Sequence, residues 1–159
     1  MQRGFATLEI ILAIMIIALL MTAAVPNAVR MIDSAALDYE TKRLYSELRF
    51  LQAIDRSGTF DANGTGRTDF DIDAAPHMQI DPAKFSYQIM RGKVPLREVH
   101  YMQNIKGIAF KGSASKKISF YSNGESSANG RITLTSQFDK SSAIVFDTVG
   151  RIRGERVNE

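Results

Sequence analysis

The sequence predicts an α+β fold: a long N-terminal helix, membranous in its first half and amphipathic in its second, packed on an antiparallel β-rich head. Three observations predict it. An apolar run lies near the start, leucines recur at helical spacing behind it, and short β-prone runs separated by turn residues fill the chain from His77 onward. The 159 residues suit one modest globular unit. Shares of 45% hydrophobic and 23% charged residues lie near ordinary globular usage, which argues against wholesale disorder, collagen-like repeats and long coiled coils.

The apolar run spans residues 5–25, with Thr7, Glu9 and Thr22 as its polar members. As a helix it would be about 31 Å long, close to the roughly 30 Å hydrocarbon core of a bilayer. Arg3 precedes it and no Lys or Arg follows until Arg30, which favours a cytoplasmic N-terminus and an exported remainder. Read from residues alone, an ordinary secretory signal also fits, with Ile10 to Met21 as its apolar region, Thr22-Ala23-Ala24 as the cleavage site and Val25 as the mature start. Glu9 counts against that account. A carboxylate at membrane depth costs roughly 2.5–3.5 kcal/mol on insertion scales and calls for a partner or a role.

The second helical stretch, residues 27–57, contains neither proline nor glycine, and Leu37, Leu44, Leu48 and Leu51 mark an apolar stripe suited to packing on a sheet. Five basic residues and five acidic ones (Asp33, Asp38, Glu40, Glu47, Asp55) share this stretch, so the opposite face is expected to be mixed in charge and solvated. Gly58 is the expected stop. Residues 58–76 are rich in Gly, Asp and Asn and read as a polar loop. Asp61, Asn63, Thr65, Gly66 and Asp69 match five positions of a calcium loop, but Ile72 stands where the bidentate Glu belongs, so no metal is expected.

Strands are expected at residues 84–90, 99–102, 105–111, 117–121, 131–135, 143–147 and 151–153, making one antiparallel sheet domain with turns at Asn123-Gly124 and Asn129-Gly130. The formal net charge of +3 is too small to imply a nucleic-acid partner by itself. Its distribution is uneven, with eight Lys and Arg between Lys84 and Lys117 against Glu98 alone. Phe85, Tyr87, Tyr101 and Phe110 are interspersed, and aromatics at strand spacing more commonly build core than stack on bases.

Catalytic options are few. No cysteine is present, which removes disulfides, thiolate nucleophiles and Cys-based metal sites. His77 and His100 form no metal-ligand spacing and read as surface or strand histidines. Gly64-Thr65-Gly66 lacks the residues of a phosphate-binding loop. The reading is therefore non-enzymatic, with no cofactor.

The stretch Gly4-Phe5-Ala6-Thr7-Leu8-Glu9, followed by the apolar run and Pro26, resembles the signal of type IV pilins and pseudopilins. The resemblance implies cleavage between Gly4 and Phe5 by a prepilin peptidase, N-methylation of Phe5, and pairing of Glu9 with the Phe5 amine of a neighbouring subunit, so that two buried charges offset each other. Pro26 lies where such helices commonly bend or melt, or else begins a new helix. The implied divisions are a leader (1–4), a transmembrane and filament-core helix (5–25), an amphipathic extension (26–57), a polar loop (58–76) and a head (77–159). More loosely, the runs ISFYSNG, NGRITLT and AIVFDTVGRIR resemble the head of the H-type minor pseudopilin and FimT-type minor pilin group.

That resemblance implies a minor subunit of a type IV pilus or a type II secretion pseudopilus. It would be stored in the bacterial inner membrane with its head exported, would bind other subunits and an inner-membrane assembly platform, and would contact lipid before assembly. Gly150-Arg151-Ile152-Arg153 also matches the GRxR pattern associated with DNA binding in FimT-type subunits, which makes Arg151 and Arg153 candidate DNA contacts on one face of a strand. The competing reading is a secreted β-domain released by an ordinary signal peptide.

Overall fold

The structure, a computed structural model, describes residues 2–56, 76–112, 116–121, 124–127 and 129–157. Helix α1 (Gln2–Arg56) is followed by nine strands: β1 (Pro76–Asp81), β2 (Ser86–Arg91), β3 (Val94–Pro95), β4 (His100–Tyr101), β5 (Ile105–Gly112), β6 (Lys117–Ser119), β7 (Gly130–Ser136), β8 (Ser141–Phe146) and β9 (Ile152–Val157). The α+β class read from the sequence is the class of the structure.

Helix α1 runs through Pro26 without interruption, so this proline neither melts the helix nor starts a second one. Proline removes one backbone donor and crowds the preceding turn. Side chains nearby bond carbonyls of the adjoining turns, though not the Thr22 carbonyl that a donor at residue 26 would reach: Thr22 Oγ1 donates to Leu19 O at 2.7 Å, and Asn27 Nδ2 donates to Ala23 O at 3.2 Å.

The strands form two antiparallel sheets, which together make the antiparallel β-rich head expected. The first has the order β3-β2-β1-β6, with β4 also pairing to β2, and the second has the order β5-β7-β8-β9. Strand β1, central to the first sheet, was not among the expected strands, because it opens on a proline and its alternation rests on Met78 and Ile80 alone. The two-residue β3 was likewise unexpected. Strand β9 runs on to Val157, paired to β8 over its whole length.

The second half of α1 packs against strands of both sheets, with contacts to β1, β7, β8 and β9. Leu44, Leu48 and Leu51 are fully buried and Leu37 nearly so. They meet Met78, Ile80, Ile89 and Ile118 from the first sheet and Ile132, Leu134, Ile144 and Phe146 from the second, all in one core. The leucine spacing thus acts as expected: it lays one stripe along the seam between two sheets.

The acidic residues of this half-helix depart from expectation. Asp33, Glu40, Glu47 and Asp55 are buried, not solvated. Asp33, Glu40 and Glu47 recur every seven residues and so fall on one line along the helix, four residues ahead of Leu37, Leu44 and Leu51 respectively.

Candidate functional site

Three regions carry chemistry. The first is the N-terminal half of α1. From Leu8 to Val25 every large apolar side chain is at least half exposed, and the helix is long and apolar enough to cross a membrane. It fits a membrane anchor or a signal sequence. Glu9 is exposed on this apolar surface, while Gly4 and Phe5 lie in the first turn of α1 and their side chains fall outside the described residues. Exposed apolar surface continues beyond Pro26 through Val29, Met31 and Ile32.

The second region is the turn into β9. Ile152 is buried while Arg151 and Arg153 are exposed, so the two guanidiniums flank an inward-facing residue as strand alternation requires. Arg151 just precedes β9, and Asp147 holds it: Asp147 Oδ1 accepts the Arg151 backbone N–H at 2.8 Å, and Oδ2 lies 3.4 Å from Arg151 Nε. Arg153 lies opposite Val145, which in turn lies opposite Arg131, and Arg131 lies opposite Lys111. Three basic residues therefore share one row across the second sheet, although Arg131 also pairs with Glu155.

Gly150 makes this turn possible. Its φ is +79°, and a Cβ there would stand 1.7 Å from the carbonyl oxygen of Gly124. Its carbonyl accepts Gln52 Nε2 at 2.7 Å, and the same amide nitrogen donates to Gly124 O at 3.2 Å, so a buried helix side chain holds both loops.

The third region is the segment 97–104, which crosses from the first sheet to the second along the acidic line of α1. Glu47 accepts Arg97 Nη1 at 2.6 Å. Glu40 pairs with His100 Nε2 at 2.8 Å and accepts the Gln103 backbone N–H at 3.1 Å. Asp33 accepts Asn104 Nδ2 at 3.1 Å and Ser136 Oγ at 2.5 Å. The segment thus runs antiparallel to the helix, pinned by one carboxylate every two turns. Arg97 also lies over the Phe50 ring, 4.0 Å from its centroid, which fixes the guanidinium further.

Tyr87 sits beneath this strap, nearly fully buried, with its ring 5.0 Å from that of His100. Burial pushes its phenol well above the ordinary tyrosine range; Arg43 opposes the shift, and Glu47 and Glu40 add to it. It therefore stays a protonated hydroxyl. The Tyr87 hydroxyl is buried beside the Arg43 guanidinium, and Glu47 Oε2 is buried without a hydrogen-bond partner among the described residues.

The remaining sequence candidates separate. The basic block is divided between the two sheets, and of its aromatics Tyr87 is core, Phe85 and Phe110 pack against the core, and Tyr101 is exposed. Both histidines are strand residues, one of the two placements expected: His77 is buried on β1, and His100, on β4, is held by Glu40. The loop carrying Asp61 to Ile72 lies outside the described residues. Among the described residues, no group of three or more His, Asp or Glu side chains could hold a metal ion. The signal for the strap was legible in the seven-residue spacing of its acids, but their partners are 50 or more residues away in the chain.

No family model matches the chain, and no curated protein or solved structure matches it either.

Proposed function

We propose that the protein is a structural subunit of a type IV pilus or type II secretion pseudopilus, a minor one, cut between Gly4 and Phe5, methylated on Phe5 and assembled through Glu9. The observation that carries this reading is one helix with two surfaces: an exposed apolar first half bearing a single carboxylate, continuous with a second half locked into a head. A carboxylate on an apolar helix is costly in lipid and in a dry helix bundle alike unless a cation meets it. The amine released at Phe5 of a neighbouring copy supplies that cation. The role is structural and non-catalytic, and the head lies on the exported side of the inner membrane until the assembly platform draws the helix into a filament.

Glu9→Ala tests assembly directly. The variant is expected to accumulate in the membrane at the normal level and to vanish from sheared filaments. Unchanged incorporation would overturn the reading.

A second reading, a subunit that also captures DNA, is favoured by the outward placement of Arg151 and Arg153 and by the row that joins Arg153 to Arg131 and Lys111. Phosphate binding by such a row depends on counterion release. The expected result is DNA affinity that falls steeply with salt and is largely lost in Arg151→Ala/Arg153→Ala. Absence of binding at low salt would remove this reading and leave the structural one intact.

A further inference from the structure

Strand β7 fixes how the head is oriented along α1. At its start, Gly130 lies opposite Phe146, and Phe146 lies opposite Ile152, whose carbonyl accepts Arg49 Nη2 at 3.3 Å. At its end, Ser136 Oγ donates to Asp33 Oδ2 at 2.5 Å. From Arg49 back to Asp33 the helix covers about 24 Å, and β7 covers about 20 Å from end to end. Strand β7 therefore runs alongside α1 toward its apolar half. The Ser136 N–H then donates to Lys140 O at 2.8 Å and closes a turn. Gln137, Phe138 and Asp139 are thus the tip of the β7–β8 hairpin and project past the level of Asp33.

That level is also where the exposed apolar surface of the helix ends, at Met31 and Ile32. If residues 5–25 fill a hydrocarbon core of about 30 Å, the seven residues from Val25 to Ile32 add about 10 Å, enough to cross one headgroup layer. No polar spacer then separates the head from the bilayer, and the hairpin tip meets the headgroups. Its composition suits that place. Phe138 is 48% exposed and belongs to no part of the core, in a turn position where small polar residues are the usual choice. Lys140 is exposed beside it, and Lys106, at the start of β5, pairs with Asp139. Arg30 is exposed three residues before Asp33, hence on the helix face that lies under the turn. Asp33 itself is buried and bonded to Asn104 and Ser136. One aromatic ring is therefore set among three cations and one exposed carboxylate. Aromatic rings settle at headgroup depth, and lysine and arginine lay their stems on apolar surface with the charge toward lipid phosphates.

We propose that the 137–140 turn docks on the anionic headgroup layer of the bilayer that α1 crosses, with Phe138 inserted at the interface and Arg30, Lys106 and Lys140 against lipid phosphates. The head is then held at two points, the helix and the hairpin tip, and stands in one orientation on the membrane. The opposite end of the head, with Val149 and Arg151 in the turn before β9, faces away from the lipid. The inference rests on α1 being a membrane anchor. It needs neither cleavage before Phe5 nor filament assembly nor DNA contact.

The chain contains no tryptophan, so one substitution supplies a unique fluorescent probe. Phe138→Trp, Leu19→Trp and Val149→Trp, all at exposed positions, are each made in the full chain and reconstituted in vesicles of equal parts phosphatidylglycerol and phosphatidylcholine. The phosphatidylcholine is brominated either near the headgroup or near the methyl end of its acyl chain. Leu19→Trp reports the anchor and is expected to be quenched by the deep bromine. Phe138→Trp is expected to be blue-shifted and quenched by the shallow bromine alone, and Val149→Trp by neither. Adding Arg30→Gln and Lys140→Gln to Phe138→Trp is expected to lower the docking equilibrium about fivefold per charge removed. Vesicles without phosphatidylglycerol are expected to weaken quenching of Phe138→Trp and to leave that of Leu19→Trp unchanged. Unaltered thermal unfolding of the variants separates lost contact from lost fold. Quenching of Leu19→Trp without quenching of Phe138→Trp overturns the proposal and leaves the anchor intact, whereas an unquenched Leu19→Trp removes the anchor and the proposal with it. Quenching of Phe138→Trp that is indifferent to lipid charge also overturns it. So does a blue shift that grows with protein density without bromine quenching, which identifies the tip as a contact between copies of this chain.

Discussion

The two halves of α1 share a helix and little else. From residue 8 to 32 the large apolar side chains face outward, whereas from Asp33 to Asp55 the leucines and all the carboxylates but Asp38 are buried in the head. The second half is stabilised by tertiary packing, as most protein helices are. The first half has no such support and needs an apolar surrounding, a bilayer or neighbouring helices, to cover it. The comparison teaches that helix length by itself reports neither burial nor role. What distinguishes the halves is whether polar residues punctuate the apolar pattern in step with the helix: Asp33, Glu40 and Glu47 do so, and Glu9 stands alone.

The largest expected contrast comes from truncating one leucine in each half. Leu48→Ala removes a fully buried side chain and is expected to lower head stability by about 2–5 kcal/mol, while Leu19→Ala, 65% exposed, is expected to change it by no more than about 0.5 kcal/mol. Urea unfolding in a fixed detergent, followed by tyrosine fluorescence, measures both. Equal effects would mean that the first half also packs on the head.

Gly150→Ala tests how the second half is tied to the far end of the chain through Gln52. A left-handed non-glycine residue costs roughly 1–3 kcal/mol, and the overlap with the Gly124 carbonyl adds to that figure. The same unfolding assay is expected to show the loss, together with faster hydrogen exchange at Arg151 and Ile152. Asp33→Asn probes the strap. It replaces one acceptor with a donor facing the Asn104 amide or the Ser136 hydroxyl, and is expected to cost about 1–3 kcal/mol. Pro26→Ala should have the smallest effect on the head, within about 0.5 kcal/mol, while slowing exchange of amides near residue 26, because the missing backbone donor is restored.

Much of the architecture was legible because it is written in local periodicity. Leu37, Leu44, Leu48 and Leu51 gave the buried stripe, and alternation around Ile118 and around Ile132 and Leu134 gave two strands. Strand β1 escaped because it opens on Pro76 and its alternation, with only Met78 and Ile80 as apolar members, is short, although pairing to β2 and β6 places it centrally. The division into two sheets was not legible, since it depends on which strands pair across long separations in sequence. The buried acids were misjudged for a related reason. A carboxylate is read as solvated until its partners are known, and Arg97, His100, Asn104 and Ser136 are far away in the chain. The exposed Arg151–Arg153 pair was legible from alternation alone, whereas the register that joins Arg153 to Arg131 and Lys111 required the sheet.

The central claim is that the exposed half-helix is a processed assembly element and not a disposable signal. Intact mass and N-terminal sequencing of the protein from its native membrane test this most directly. The account predicts a chain that begins at Phe5 and carries one added methyl group. A chain that begins at Val25 would contradict it, because the exposed half-helix and Glu9 would then be absent from the mature protein.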